Sequence, residues 1–317
     1  MRIAKAALLL MAAVPAPAAG QPLFTFGTGL WINLHHFLYV LGRAQNNTPD
    51  SHRAAVANAP ADTDGFSALS AREREPWQRA IAWYQKNVSP QDAVFDHDLV
   101  NMTNALAACG DAPTLTGVKI PAEMRTVLED AAPVYRKVWW ERHARSNHAR
   151  IGEIEALLAR YGRPISDTIT KAYQQSWPAE GLTVQICAYA NWAGAYSTAG
   201  RLIVMASTDE GTAGSEGLEI VFHEAMHQWD DAMIPRLQQA AERQHAQIPR
   251  DLFHSLIFYT AGYATAHAVP GHHPYADKLW ARGLPGHAQL DQYWLPYLRG
   301  EGTLAAALDR LTGAFAK

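Results

Sequence analysis

Residues 223–227 read His-Glu-Ala-Met-His, and no other segment of the 317-residue chain restricts its fold as strongly. In a helix, residues i and i+4 lie on one face, so His223 and His227 can point at a single metal ion. Neutral imidazoles suit zinc, and a catalytic zinc site keeps one position open for water. Glu224, beside the first histidine, can take a proton from that water as a general base. The spacing therefore predicts a helix here that binds Zn²⁺.

The residues around the two histidines favour a helix that is buried on one side. Its apolar positions are Val221, Phe222, Ala225, Met226 and Trp229. The acidic residues within about a turn of one histidine or the other are Glu219, Asp230 and Asp231. Any of the three can accept a hydrogen bond from an imidazole N–H and so orient a ligand. The alternative interpretation is a polar helix face with both histidines in solvent.

Apolar residues at helical spacing dominate the rest of the chain. The predicted helices cover residues 30–44, 72–87, 91–108, 121–161 with a bend or break near Pro133, 234–246, 251–268 and the end of the chain, 286–317. Strand signals occur in one region only, at residues 182–189 and 202–206, and loops are predicted at 46–51 and 61–65. We therefore predict an α+β fold, predominantly helical, with a small β-sheet beside the zinc-binding helix. Residues 21–317 form a single catalytic domain in this prediction, with a helical N-terminal portion.

The first twenty residues have the pattern of a cleavable signal peptide. Residues 1–5 are a short basic segment that contains Arg2 and Lys5, and residues 6–14 are apolar. Residues 15–20 then offer small residues that suit a signal peptidase. The apolar run is too short to cross a bilayer. We therefore predict that residues 1–20 are removed and that the mature chain is periplasmic or secreted, without a transmembrane anchor.

The charge of the chain argues against a nucleic-acid binder. The formal net charge is −3, and it becomes −5 without the signal peptide because Arg2 and Lys5 leave with it. No segment resembles the basic stripe that binds phosphates. Cys109 and Cys187 are the only cysteines. In an oxidising compartment they can form a disulfide or remain two buried thiols, and the sequence leaves both possibilities open.

The segment His-Glu-Ala-Met-His-Gln-Trp, residues 223–229, resembles the HExxHQW motif of aminopeptidases in the gluzincin clan of zinc metallopeptidases. Those enzymes place a substrate-binding edge strand with a Gly-Ala motif before the zinc helix, and residues 191–197 stand in a comparable place here. The resemblance covers residues 185–265. It implies a zincin-like fold, a peptide or protein substrate, and substrate contacts from Gly194, Ala195 and Tyr196. Residues 34–39 and 252–262 also look like blocks of a group of secreted bacterial HExxH proteins.

The resemblance fails at the third metal ligand. In those aminopeptidases, a glutamate in an Asn-Glu pair follows the second histidine at a fixed short interval, whereas Ala246 occupies that position here. The aminopeptidase specificity therefore does not carry over. The remaining candidates for the third ligand are His254, His245, Asp251, Glu242 and His267. We favour His254, because it opens an apolar helix that can pack against the zinc helix, with Asp251 one turn earlier to orient it.

A hydrolase of this type also needs a group that stabilises the oxyanion. Tyr196, Tyr259 and Tyr263 are the candidates, and we select Tyr263 as a catalytic residue beside Glu224. Tyr263 follows His254 by nine residues, which places the two on opposite faces of a straight helix. Both can reach one metal ion only if Gly262 breaks that helix.

Two further groups of residues permit either a functional or a structural interpretation. His35 and His36 lie in an aromatic helix, where we expect one buried and one exposed ring rather than a contribution to the site. Residues 139–143 can line a channel, but such aromatic residues more often form a core. The loop at 271–273 is given no role, and Ser197 and Ser207 have no evident histidine or aspartate partner.

Three functions remain compatible with the sequence. The first is a metallopeptidase that uses a zinc-activated water with Glu224 as the general base. The second is an exported zinc hydrolase of non-peptide amides or esters, since the same chemistry serves both. The third is a non-catalytic exported binding or scaffold protein that retains the motif helix.

Overall fold

The computed structural model describes residues 21–44, 66–198 and 202–316. Within these ranges the chain is mostly helical and contains a small four-stranded mixed sheet, which confirms the predicted α+β class. The predicted signal peptide at 1–20 and the predicted loops at 46–51 and 61–65 lie outside the described residues. No helix in the described part of the chain is long and apolar enough to cross a membrane.

Along the chain, helices occur both before and after the main group of strands. They are α1 Leu30–Ala44, α2 Ala71–Asn87, α3 His97–Cys109, α4 Ala122–Tyr135, α5 Glu141–Tyr173, α6 Gly214–Met226, α7 Asp230–Arg243, α8 Leu252–Ala268, α9 Ala276–Trp280, α10 His287–Gln289, α11 Leu295–Leu298 and α12 Leu304–Gly313. The strands are β1 Phe24–Gly27, β2 Leu182–Cys187, β3 Ala195–Ser197 and β4 Leu202–Ala206. The predicted helices at 30–44, 72–87 and 251–268 agree with α1, α2 and α8 to within one residue.

Side-chain caps decide where two of the N-terminal helices begin. Ser70 and Glu73 form a capping box, in which each side chain accepts a hydrogen bond from the other residue's backbone N–H. Asp96 accepts a hydrogen bond from the backbone N–H of Leu99 and so caps α3. The helix predicted from residue 91 therefore begins at His97.

The long helix predicted over 121–161 is two helices joined by a π-helical turn, Arg136–Trp140. Pro133 lies inside α4 and does not end it. The second helix, α5, continues past the predicted end to Tyr173, where Gln174 adopts a left-handed conformation that terminates it. The C-terminal region, predicted as helical over 286–317, is divided into short segments separated by the turn around Gly300 and Gly302.

The sheet has the strand order β1-β2-β4-β3. Strands β1, β2 and β4 are parallel, whereas β3 pairs antiparallel with β4 and forms an edge. Strand β1 contradicts the prediction of a single strand region. Its four residues are too few to show a periodicity, and it is defined by distant pairing, with Phe24 opposite Leu182.

The two faces of the sheet belong to different hydrophobic clusters. Because neighbouring strand residues point to opposite faces, Ile203 and Met205 of β4 pack with α6 and α8, whereas Val204 packs with the N-terminal helices. Strand β3 divides in the same way, with Ala195 on the α6 side and Tyr196 on the α1 side. The sheet therefore lies between the motif helix and the N-terminal helices and packs against both.

Two expectations about buried side chains can be compared with this core. His35 and His36 are both buried, so the expected exposed ring is wrong, because α1 is enclosed on all sides. Trp139 is a core residue, as expected. Cys109 and Cys187 are both free thiols, so the structure contains no disulfide between them.

Candidate metal centre

Helix α6 and the turn that follows it carry the motif histidines. The α-helix ends at Met226 and continues as a 3₁₀ turn, His227–Trp229, before α7 begins. His227 keeps right-handed helical dihedral angles, φ −61° and ψ −19°, so it remains on the same face as His223. The centroids of the two rings lie 5.3 Å apart.

Helix α8 brings His254 to the same place. Its Nε2 lies 3.1 Å from Nε2 of His223, and its ring centroid lies 5.5 Å from that of His227. One ring nitrogen from each of the three residues lies within 4.8 Å of the other two. This group of histidines can hold a metal ion.

The chemistry of the three nitrogens fits a metal site. Two nitrogens bound to one tetrahedral zinc ion lie about 3.3 Å apart, given a Zn–N distance of about 2.0 Å. Burial, and then the neighbouring imidazoles, lowers the pKa of His223 well below its usual value. Although His254 is partly exposed, the desolvation of its ring, and then the charge of His227, lowers its pKa to about 4. Both rings are therefore neutral at pH 7 and carry the lone pair that a metal ligand needs.

Asp230 fixes the orientation of His227. The Nδ1–H of His227 donates to the carboxylate of Asp230 at 3.0 Å, so Nε2 is the ring nitrogen left available for a metal ion. Burial acts to lower the pKa of His227. The bond to Asp230 and the negative charges of Glu224 and Asp230 outweigh burial, so the pKa is raised. Of the three acidic candidates, Asp230 is the one that binds a histidine of the group.

Glu224 lies between the histidines and the edge strand. The hydroxyl and backbone N–H of Ser197, the last residue of β3, lie close enough to its carboxyl group to affect its pKa. Burial raises the pKa of Glu224, although the charge of His227 and these two groups of Ser197 act in the opposite direction. A buried carboxylate with a raised pKa is suited to accept and return a proton.

An aromatic residue of α8 supports the histidines from one side. The ring centroid of Phe258 lies 3.9 Å from that of His223 and 4.8 Å from that of His254. Tyr275 stacks on the far side of Phe258 at 6.1 Å. This packing restricts the rotation of both imidazoles, which favours a preformed site.

Glu219 has a different partner from the one predicted. Its carboxylate accepts a hydrogen bond from Nε2–H of His272 at 2.5 Å, and both side chains are completely buried. The backbone N–H of Tyr275 donates to the same carboxylate, and Ser215 donates its hydroxyl to Nδ1 of His272. The loop that received no role from the sequence is therefore tied to the motif helix, one turn before His223.

Tyr263, selected as a catalytic residue, does not join the group. Helix α8 runs unbroken through Gly262, so Tyr263 lies on the face opposite His254. There it stacks on His267 at 6.0 Å. Tyr259 is also directed away, because its hydroxyl donates to Asp291.

The three predicted substrate-binding residues occupy different positions relative to the histidines. Ala195 lies on the α6 face of the sheet, whereas the Tyr196 side chain is buried on the other face, against His36. Gly194 precedes the strand with φ of +78°, and a Cβ atom there would lie 2.5 Å from the Asp209 carboxylate. The edge strand is thus beside the motif helix, but the tyrosine ring is not available to a ligand there.

The other candidates for the third ligand lie apart from the group. His245 ends α7 in a left-handed conformation, with φ of 50°, and is exposed. Glu242 and His267 are exposed on α7 and α8, and Asp251 is exposed at the start of α8. In the described part of the chain, His223, His227 and His254 are the one group of three or more such side chains placed so that they could hold a metal ion.

Comparisons of this chain with protein-family models, curated proteins and solved structures find no match.

Proposed function

We propose that this protein is a zinc-dependent metallopeptidase. The observation that carries the proposal is the convergence of His223, His227 and His254 on one point, with Glu224 buried beside them. A donor set of three imidazole nitrogens is typical of zinc. That the bound metal is zinc, rather than another divalent ion, is part of the proposal.

Each residue of the site has a separate role in the proposed amide hydrolysis. Bound zinc would polarise the scissile carbonyl and lower the pKa of a water molecule at its open position. A carboxylate oxygen of Glu224 accepts a proton from the water as the water oxygen attacks the carbonyl carbon. The same oxygen then returns this proton to the nitrogen of the leaving amine when the C–N bond breaks. Asp230 holds His227 in the tautomer that binds the metal.

The free side of β3 supports a peptide as the substrate. In the described part of the chain, β3 pairs with β4 alone, so its other edge has unpaired backbone groups. An extended peptide can add to such an edge through main-chain hydrogen bonds. Ser197, which contacts Glu224, ends this strand. A peptide paired with residues 194–196 would therefore lie near the proposed general base.

The place of action that fits this proposal is the periplasm or the extracellular medium. It depends on the signal-peptide pattern of residues 1–20. Peptide or protein substrates, and no nucleic acid, are the partners expected of such an enzyme.

The test combines metal analysis with two variants and one control. We expect the purified protein to contain zinc and Glu224→Gln to retain it while hydrolysis of unmodified peptides falls by at least about 100-fold, the scale of general-base catalysis. His254→Ala should bind zinc much more weakly than wild type. His267→Ala is the matched control, because His267 is an exposed histidine of the same helix outside the group. The assignment is wrong if Glu224→Gln is as active as wild type, or if His254→Ala binds zinc as tightly as His267→Ala.

A substrate panel separates the peptidase from the two other functions. Unmodified peptides are compared with small amides and esters under the same conditions. Hydrolysis of esters without peptide cleavage would support the non-peptide hydrolase. Retained metal without hydrolysis in any assay would support a binding or scaffold protein.

A further inference from the structure

His36 of α1 and Tyr196 of β3 form a buried hydrogen bond on the sheet face opposite α6. Nδ1 of His36 lies 2.8 Å from the carbonyl oxygen of Ile32, so this nitrogen carries the proton. Nε2 is then an acceptor, and the Tyr196 hydroxyl donates to it at 2.8 Å. The two residues are 1% and 3% exposed, so water cannot replace the bond.

Strand β3 is three residues long and, in the described part of the chain, pairs with β4 alone, through a ladder that extends to Gly194 and Thr198. Just past its end, the hydroxyl of Thr198 donates to Asn104 of α3 at 2.8 Å, so the bond of Tyr196 to His36 is the side-chain anchor within the strand itself. Tyr196 is its middle residue, opposite Val204 of β4. Because neighbouring residues in a strand point to opposite faces, fixing Tyr196 on the α1 face also fixes Ser197 on the α6 face. On that face β3 packs with the motif helix, and the hydroxyl and backbone N–H of Ser197 lie close enough to Glu224 to lower the pKa of its carboxyl group.

We propose that His36 and Tyr196 are positioning residues that anchor β3 from the far side of the sheet and thereby hold Ser197 against Glu224. The N-terminal helices would then contribute to the site without contacting the substrate. The catalytic consequence rests on the proposed function of Glu224, whereas the anchoring of β3 does not.

A matched control lies one residue away in α1. His35 makes the same kind of buried bond, with its Nδ1 2.9 Å from the hydroxyl of Tyr84 in α2. Tyr84 and Tyr196 are both buried tyrosines bonded to a buried histidine, but α2 does not lead to the site. Tyr84→Phe and Tyr196→Phe therefore remove one equivalent hydroxyl each and separate positioning from general loss of stability.

The first measurement is amide hydrogen exchange of the purified full chain. We expect Tyr196→Phe to speed exchange in the peptide that covers residues 190–198, and Tyr84→Phe to leave that peptide unchanged. His36→Gln places an amide oxygen near the position of Nε2, so residues 190–198 should exchange as slowly as in wild type. The side chain of His36→Asn is too short to reach Tyr196, so exchange there should be faster. Equal exchange of residues 190–198 in wild type and Tyr196→Phe would overturn the proposal, as would equal acceleration in Tyr84→Phe.

The second measurement is the kinetics of the zinc-loaded protein on the unmodified peptide that wild type cleaves fastest. We expect kcat of Tyr196→Phe to fall by about tenfold, within the range that small misplacements cause, with zinc affinity unchanged. Tyr84→Phe should keep the wild-type kcat. An unchanged kcat in Tyr196→Phe would overturn the link to Glu224.

The two measurements distinguish failure of this inference from failure of the proposed function. If wild type and Glu224→Gln alike cleave no peptide, the peptidase proposal fails and hydrogen exchange alone decides whether β3 is anchored. If wild type is active and exchange at residues 190–198 is the same in all variants, the anchoring fails and the peptidase proposal stands.

Discussion

Asp230 shows how one side chain sets the chemistry of a neighbour at the scale of single residues. By accepting the Nδ1–H of His227, it selects which ring nitrogen faces the other two histidines. Without this acceptor, the imidazole can rotate or change tautomer, and both changes move the lone pair away from the group. Residues in this position tune metal affinity although they do not contact the metal.

We therefore expect Asp230→Ala to weaken zinc binding by about 10- to 100-fold, the usual effect of losing such a partner. Competition with a chromophoric chelator measures the affinity. Asp231→Ala is the control, since Asp231 is the exposed neighbour on the same helix. Equal affinities in the two variants would show that Asp230 has no role in orienting His227.

At this scale the sequence is most informative where the chemistry is local. The spacing of His223 and His227 and the position of Glu224 can be read directly, because one helical turn relates them. The partnership of Glu219 with His272 could not be predicted, because 53 residues separate them and a lone histidine in a Pro-Gly-His-His loop carries no signal. Ser197 was missed for the same reason, since its partner Glu224 belongs to another element.

At the scale of elements, the loop before α9 is bound to α6 through a buried acidic side chain. Glu219 and His272 are completely buried, and Pro274 packs so closely on α8 that a Cβ atom on Gly262 would lie 2.8 Å from it. A buried carboxylate is tolerated only when its hydrogen bonds are satisfied. The pair therefore fixes the loop, and Tyr275 beyond it, relative to the motif helix.

We expect His272→Ala to lower the free energy of unfolding by about 3–5 kcal/mol, because Glu219 would stay buried with only the backbone N–H of Tyr275 to pair with it. The adjacent His273 is exposed, so His273→Ala should change stability by no more than about 0.5 kcal/mol. Urea unfolding of both variants at neutral pH provides the comparison. Similar losses in the two variants would mean that the buried pair contributes nothing specific.

Elements also differ in how well the sequence predicts them. Long apolar helices such as α1 and α8 were predicted closely, because their apolar residues extend over several turns without a turn signal. The four-residue β1 and the three-residue β3 exist through pairing with distant strands, which no local pattern reveals. The approach of His254 to the motif also depends on tertiary packing, so the sequence could offer it only among several candidates.

At the scale of the whole molecule, the N-terminal helices enclose several neutral histidines. Burial, and then the charge of Arg142, lowers the pKa of His143 to about 3, and its Nδ1 is hydrogen-bonded to the hydroxyl of Tyr135. Burial also lowers the pKa of His36, to about 4. Since an unfolded histidine titrates near 6.5, the unfolded chain binds more protons than the folded chain between these values. Stability is therefore fully present above pH 6.5 and falls as the pH drops toward 3.

For His143 alone, the free energy of unfolding should change by up to about 1.4 kcal/mol per pH unit between pH 6 and pH 4. His143→Asn keeps a polar group near Nδ1 but cannot take up a proton, so its stability should decline less steeply with acid by that amount. Denaturant unfolding at several pH values gives both slopes. Parallel curves for wild type and His143→Asn would show that His143 is not a source of acid sensitivity.

The placement of the sheet between two hydrophobic clusters has a practical consequence for shortening the chain. A fragment that starts after α5 would contain all three histidines, Glu224 and β3. It would lack β1 and every helix that covers Val204 and Tyr196, leaving one face of the remaining sheet bare. Exposed apolar sheet faces and unpaired strands promote aggregation. The smallest piece that can be studied as a folded unit therefore includes the N-terminal helices, although none of the residues of the proposed metal site lies in them.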